Sequence, residues 1–232
     1  MPTITLLALA LSVLPCLAVA WISYRWTSRG SELIYAVARM VLQLLLIGFA
    51  LVFIFESDQV LLGAAIIVTM ILISALISIR LIKTNRKTAF VRASLSLGLA
   101  GSATLAFMLT GVLQLHDPWY QPRLIVPIAG MIFSNAMTAI TLAAERFQNE
   151  TAIGQPYEAA RSAAWTTALI PQINALLAVG LVSLPGMMTG QILSGVDPLV
   201  AVRYQIVIMA MILQASAFSV AIFLWLYRPR PS

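Results

Sequence analysis

Apolar residues fill this 232-residue chain in long runs broken only by short polar stretches. A helix needs about 20 mostly apolar residues to cross the hydrocarbon layer. The runs predict about seven such helices, over residues 3–24, 34–55, 60–82, 94–113, 124–144, 165–184 and 204–227. Pro171 falls inside the sixth, where it removes a backbone donor and kinks the helix. Between the sixth and seventh, residues 185–195 read as a re-entrant turn or a short outer helix. Asp197-Pro198 then reads as the N-cap and first residue of the last helix.

Composition turns these runs from buried core into membrane spans. Hydrophobic residues make up 61% of the chain and charged residues only 9%. A soluble domain carries about 25% charged residues, and nothing here could make a water-facing surface. The expectation is an all-α polytopic membrane protein, one transmembrane domain over residues 1–232, with no large domain outside the bilayer. Ala18-Val19-Ala20 resembles a signal cleavage site, but no lysine or arginine precedes the first apolar run, as a secretory signal wants. The first run therefore reads as a retained span with the N-terminus outside. One cysteine, Cys16, excludes an intrachain disulfide.

Charge supplies the orientation. Arg25 and Arg29 follow the first span; Arg80, Lys83, Arg86, Lys87 and Arg92 follow the third; Arg146 and Arg161 follow the fifth; Arg228 and Arg230 end the chain. The other side holds Glu56, Asp58, His116, Asp117 and Asp197, with only Arg123 and Arg203. Eleven basic residues against two place the C-terminus in the cytoplasm by the positive-inside rule. Trp21, Trp26, Trp119, Tyr120, Trp225 and Tyr227 fall at span ends, where an interfacial belt forms. The net charge of +6 thus belongs to topology, not to nucleic-acid binding.

A few polar residues are out of place in lipid. Arg39 lies within the second span with Gln43 one turn on; the pair either snorkels to the headgroups or lines a polar interior or subunit contact. The fifth span carries Met131, Ser134, Asn135, Thr138 and Thr141, and the sixth carries Gln172 and Asn174 just after Pro171. These groups serve either as glue between helices or as a substrate path. The segment 130–135, Gly-Met-Ile-Phe-Ser-Asn, is echoed by 186–191, Gly-Met-Met-Thr-Gly-Gln, and each follows a proline, Pro127 and Pro185. Paired interrupted segments point to transporter binding sites, which brings in Met187, Met188 and Gln191. Thioethers suit soft cations such as copper(I), but methionine also fills apolar gaps, and His116 is the one histidine, so no metal cage is visible and any metal site is unknown.

Residues 145–165 form the longest polar stretch, on the side predicted to be cytoplasmic. They read as a short helix, a break at Gly154, and a second short helix from Pro156, a shape that docks into a partner. The only lysines, Lys83 and Lys87, do not follow glycine, so no phosphate-binding loop is present. No serine–histidine–acid set stands out, and catalysis by this chain is not expected.

Three further signatures resemble a known family. They are 180–193 (Gly-Leu-Val-Ser-Leu-Pro-Gly-Met-Met-Thr-Gly-Gln-Ile-Leu) with 197–206, then 127–137, then 39–48. Together they resemble the permease subunit of Fet-type iron-export ABC transporters and the similar plant aluminium-tolerance permeases, over nearly all the chain from about residue 33. The resemblance implies a multi-pass permease of the bacterial inner membrane that exports iron or another metal. It implies a pair of permeases working with a pair of cytoplasmic ATPase subunits, which would hold MgATP; this chain itself would need no cofactor. It also makes 150–160 look like a degenerate coupling motif, with Glu150 and Gly154 in matching places and Glu158 and Arg161 beside them. The other readings are a gradient-driven carrier, weakened by the lack of any intramembrane carboxylate, and a non-transporting scaffold.

Overall fold

The computed structural model describes residues 5–27, 30–56, 59–82, 85–114 and 121–228. The expectations for Arg29, Asp58, Lys83, His116, Asp117, Trp119, Tyr120 and Arg230 lie outside the described residues, as does the start of the first span. The described backbone is helical: α1 (Leu6–Val13), α2 (Pro15–Thr27), α3 (Gly30–Glu56), α4 (Val60–Ser78), α5 (Arg86–Phe107, extended by a π turn Met108–Val112), α6 (Pro122–Ala152), α7 (Tyr157–Ala178), α8 (Gly186–Leu193) and α9 (Pro198–Trp225). Six segments among the described residues are long and apolar enough to cross a membrane: Leu7–Thr27, Gly30–Leu51, Val60–Ser78, Arg86–Val112, Pro122–Ala152 and Pro198–Trp225. The chain is an all-α polytopic membrane protein. The sixth expected span is α7, which is 22 residues long but not among these six, because Glu158, Arg161, Gln172 and Asn174 dilute its apolar content.

The chain divides into two compact units, residues 1–57 and 58–232. In the first, α1 and α2 are a single apolar run broken at Leu14-Pro15, and α2 packs against α3. In the second, α6 is the central helix and packs against α4, α5, α7 and α9. Small residues line part of its packing face: Ala136, Ala139, Ala143 and Ala144 lie in one buried cluster with Ala160, Ala164 and Ala168 of α7. Lipid tails are as apolar as leucine, so membrane helices gain by close backbone approach, which small side chains permit. On α5 the same logic places Ala93, Leu97, Ala100 and Gly101 inward. A Cβ at Gly101 would run into the ring of Phe133 on α6, so this crossing requires glycine.

Three boundaries differ from the sequence reading. α5 begins at Arg86 rather than near residue 94, since nothing between Asn85 and Ser94 breaks a helix; Arg86, Lys87 and Arg92 therefore sit on its first turns and not in a loop. α6 and α7 each absorb one of the short helices expected over 145–165, leaving only a turn between two long helices. Pro171 is accommodated inside α7, which ends at Ala178. Asp197 does cap α9: its Oδ1 accepts from the N–H of Leu199 at 2.8 Å and of Val200 at 3.3 Å, with Pro198 in the first turn.

Candidate functional site

The first feature is the α6–α7 turn. Residues 153–156 are exposed, and at the tip Ile153 is 72% accessible. Gly154 has φ +84°, a left-handed conformation that closes the turn without a Cβ clash. Its N–H donates to Thr151 O at 3.1 Å, and the Gln155 N–H donates to Glu150 O at 3.1 Å. Arg146 pairs with Glu150 at 2.6 Å, and Arg161 pairs with Glu158. Such surface pairs add little stability but orient the four side chains along the turn.

This turn is fastened to the bundle by aromatic side chains. The Tyr157 hydroxyl donates to Leu224 O on α9 at 2.9 Å. Phe147 of α6 meets Tyr157 edge-on at 5.9 Å between ring centroids and meets Tyr227 at 5.5 Å. Phe223 lies 5.1 Å from Tyr227 with the rings tilted by 53°, and the Arg92 guanidinium of α5 lies 4.1 Å from the Tyr227 ring centroid. Pairs of this kind are worth about 0.5–1.5 kcal/mol each beyond area burial. One cluster thus ties α5, α6, α7 and the end of α9 together directly beside the turn. Sequence reading missed it: Tyr227 stood only as an interfacial residue and Arg92 as a loop charge, and nothing local pairs residues so far apart in the chain. A groove of about 420 Å³, lined by Tyr157, Arg161, Ser162, Trp165 and Trp225 among others, opens next to it.

The second feature is a set of polar groups within the bundle. On α6, Met131 and Asn135 are half-buried while Ser134 and Thr138 are exposed, so the most buried helix keeps one polar stripe uncovered. Asn135 Nδ2 donates to Met131 O at 2.9 Å, Thr138 Oγ1 to Ser134 O at 3.0 Å and Thr141 Oγ1 to Met137 O at 2.9 Å, each closing on its own helix. Asn174 is exposed on α7, whereas Gln172 is buried. Met187, Met188 and Gln191 are half-buried on α8. The echoed segments fold differently: 130–135 lies within the long α6, and 186–191 makes most of the short α8, so they are not matched half-helices.

Gln172, Gln191 and Gln205 each bury an amide oxygen that no donor meets. Gln205, on α9, was not a sequence candidate; the sign that could have found it is a carboxamide about two turns into a strongly apolar helix. It lines a half-open apolar groove of about 460 Å³ beside the end of α7, α8 and α9, together with Met188.

Arg39 and Gln43 pair along α3. In the amide orientation that satisfies both groups, Gln43 Oε1 accepts from Arg39 Nε at 3.0 Å and Nη2 at 3.2 Å. The guanidinium thus finds a partner within its own helix, which lowers the cost of holding it among apolar neighbours.

Among the described residues, no group of three or more histidine, cysteine, aspartate or glutamate side chains could hold a metal ion. Met108 and Met211 are buried in one apolar cluster, with Met70, Met131 and Met187 packed against it.

A family model described as "Uncharacterised protein family (UPF0014)" matches residues 4–230. The chain is 34% identical to the UPF0014 membrane protein slr1647 of Synechocystis sp., over 91% of this chain and 87% of that protein. It is 30% identical to the probable iron export permease protein FetB of Escherichia coli, over 84% of this chain and 79% of that protein. It is 34% identical to the Protein ALUMINUM SENSITIVE 3 of Arabidopsis thaliana, over 83% and 74%. No solved structure matches.

Proposed function

This chain belongs to the UPF0014 family, and on that premise we propose that it is the membrane-embedded permease subunit of an ATP-driven transporter that exports iron or another metal from the cytoplasm. The permease class follows from the family. The ATPase partner, the cargo and its direction are this reading's own.

The observation that carries it is the α6–α7 turn. Its tip is exposed, carries an apolar side chain in Ile153 and is closed by Gly154. Its base is clamped to α5, α6 and α9 by Tyr157, Phe147 and Tyr227. A partner pressing on the tip would move long helices rather than bend a loop. In this reading the tip docks in a cytoplasmic ATPase subunit that binds MgATP, with Glu150, Gly154, Glu158 and Arg161 at the contact. The chain supplies no phosphate-binding loop of its own. α7 is then a seventh span, packed on α6 and α9, with Glu158 and Arg161 at its turn end and Gln172 buried. The C-terminus shares the cytoplasmic side of the inner membrane with the turn, and residues 1–232 act as one transmembrane domain.

The α6 polar stripe is unsuited to lipid, and it supports a pair of permeases facing each other across a path. Met131, Asn135, Gln172, Asn174, Met187, Met188 and Gln191 would border that path. Proteoliposomes holding the permease and its ATPase, loaded with MgATP on the ATPase side, are expected to move radiolabelled iron away from that side. Flux that ignores ATP but follows an ion gradient would favour the gradient-driven carrier instead.

A further inference from the structure

The 420 Å³ groove beside the α6–α7 turn is built by two helices that are fixed to each other. Tyr157, Arg161 and Trp165 recur every four residues and so share one face of α7, and Ala221 and Trp225 share one face of α9 in the same way. All five line the groove, as does Ser162. The Tyr157 hydroxyl donates to Leu224 O at 2.9 Å, which holds the start of α7 against the end of α9. The Arg161 guanidinium lies 5.6 Å from the Tyr157 ring centroid. Its pair with Glu158 engages Nη2 and leaves further guanidinium N–H donors. Arg161 and Ser162 lie one turn into α7, and Trp165 lies a turn deeper, about 6 Å along the axis. The charge is therefore near the turn, and the apolar wall runs away from it.

That order decides the occupant. Trp165 is 38% exposed and Trp225 65%, and indole walls at the end of a membrane-spanning helix belong at headgroup level. A half-open groove there suits a molecule whose tail runs on into the bilayer. A free phosphate would leave the indole walls unused, and a zwitterionic headgroup would bring a cation of its own toward the arginine. On α7 and at the end of α9 the described charges near this groove are Arg161, Arg228 and Glu158, a net positive set. Basic pockets between spans on the cytoplasmic side recognise anionic headgroups. We propose that the α7–α9 groove binds an anionic phospholipid of the bilayer, with its phosphate on Arg161 and Ser162 and the upper part of its chain along Trp165 and Ala221. The inference rests on α9 crossing the bilayer and needs no ATPase.

The probe is phosphatidylglycerol with a diazirine in one acyl chain, compared with phosphatidylcholine carrying the same chain. Each is photolysed with the purified permease alone in phosphatidylcholine nanodiscs, and the labelled sites are mapped by mass spectrometry. The expected result is saturable labelling by phosphatidylglycerol on the peptides carrying Trp165 and Ala221, with phosphatidylcholine at background there. Arg161→Gln should weaken it by roughly 10- to 100-fold, the loss of a hydrogen bond to a charged group, and Arg161→Lys should weaken it less. Ala221→Phe, which narrows the groove and keeps the arginine, should abolish the labelling while the protein elutes at the wild-type volume. Labelling equal for the two lipids, unmoved by Arg161→Gln, or spread evenly over the lipid-facing helices would overturn the proposal. So would displacement by glycerol phosphate, which would assign the groove to a soluble anion, and so would an unlabelled groove, as expected if a protein segment covers it. Because no ATPase is present, a negative result here leaves the ATPase reading standing, and failure of that reading leaves this labelling unchanged.

Discussion

At Gly101 a hydrogen atom stands where any other residue would place a carbon against Phe133, which is 1% exposed and has no room to turn. Gly101→Ala is expected to cost about 1–3 kcal/mol through overpacking. Thermal unfolding followed by tryptophan fluorescence should show a lower midpoint, and an unchanged midpoint would mean that α5 and α6 do not cross here as described. Tyr157 makes a different kind of contact. Tyr157→Phe keeps the ring against Phe147 and removes only the hydrogen bond to Leu224 O. The expected outcome is a near-normal unfolding midpoint with weaker coupling of partner ATP hydrolysis to transport, read as the ratio of ions moved to ATP consumed. Alanine at Asn135, Gln172 and Gln191 should lower transport and leave assembly intact; unchanged metal efflux in all three would remove these side chains from the path.

At the scale of elements, the α6–α7 turn depends on one residue with a left-handed backbone. Proline cannot adopt φ +84°, so Gly154→Pro must rebuild the turn. The expected effect is loss of ATPase binding or of stimulated hydrolysis without loss of the bundle; normal stimulation in this variant would rule out a docking role. The elements also show what a single sequence can and cannot disclose. Asp197-Pro198 was legible because capping is local chemistry between neighbours, and the structure has that cap. The extents of α5, α6 and α7 were not, because hydropathy marks where lipid begins and ends rather than where a helix does. Charged Arg86 and Lys87 extend α5, and residues 145–152 extend α6, without any breaker to stop them. The polar residues on α6 and α7 were visible as misfits in apolar runs. The aromatic clamp and the groove at Gln205 were not, because each is assembled from helices distant in sequence.

For the molecule as a whole, two facts limit what it can do. Its surface is made for lipid, with large apolar side chains such as Leu177 and Ile206 exposed outside the core. Among its described residues no three histidine, cysteine, aspartate or glutamate side chains come together, and its sequence has no glycine-rich phosphate-binding loop. The proposed function therefore rests on a partner at the exposed α6–α7 turn. The most direct test is to co-purify the permease in detergent with a candidate ABC ATPase from the same genome, then measure ATP hydrolysis in lipid with and without iron. The account predicts a stable complex whose hydrolysis rises when iron is added. An ATPase that never associates, or a complex whose hydrolysis is the same with and without iron and every other metal tried, would contradict it.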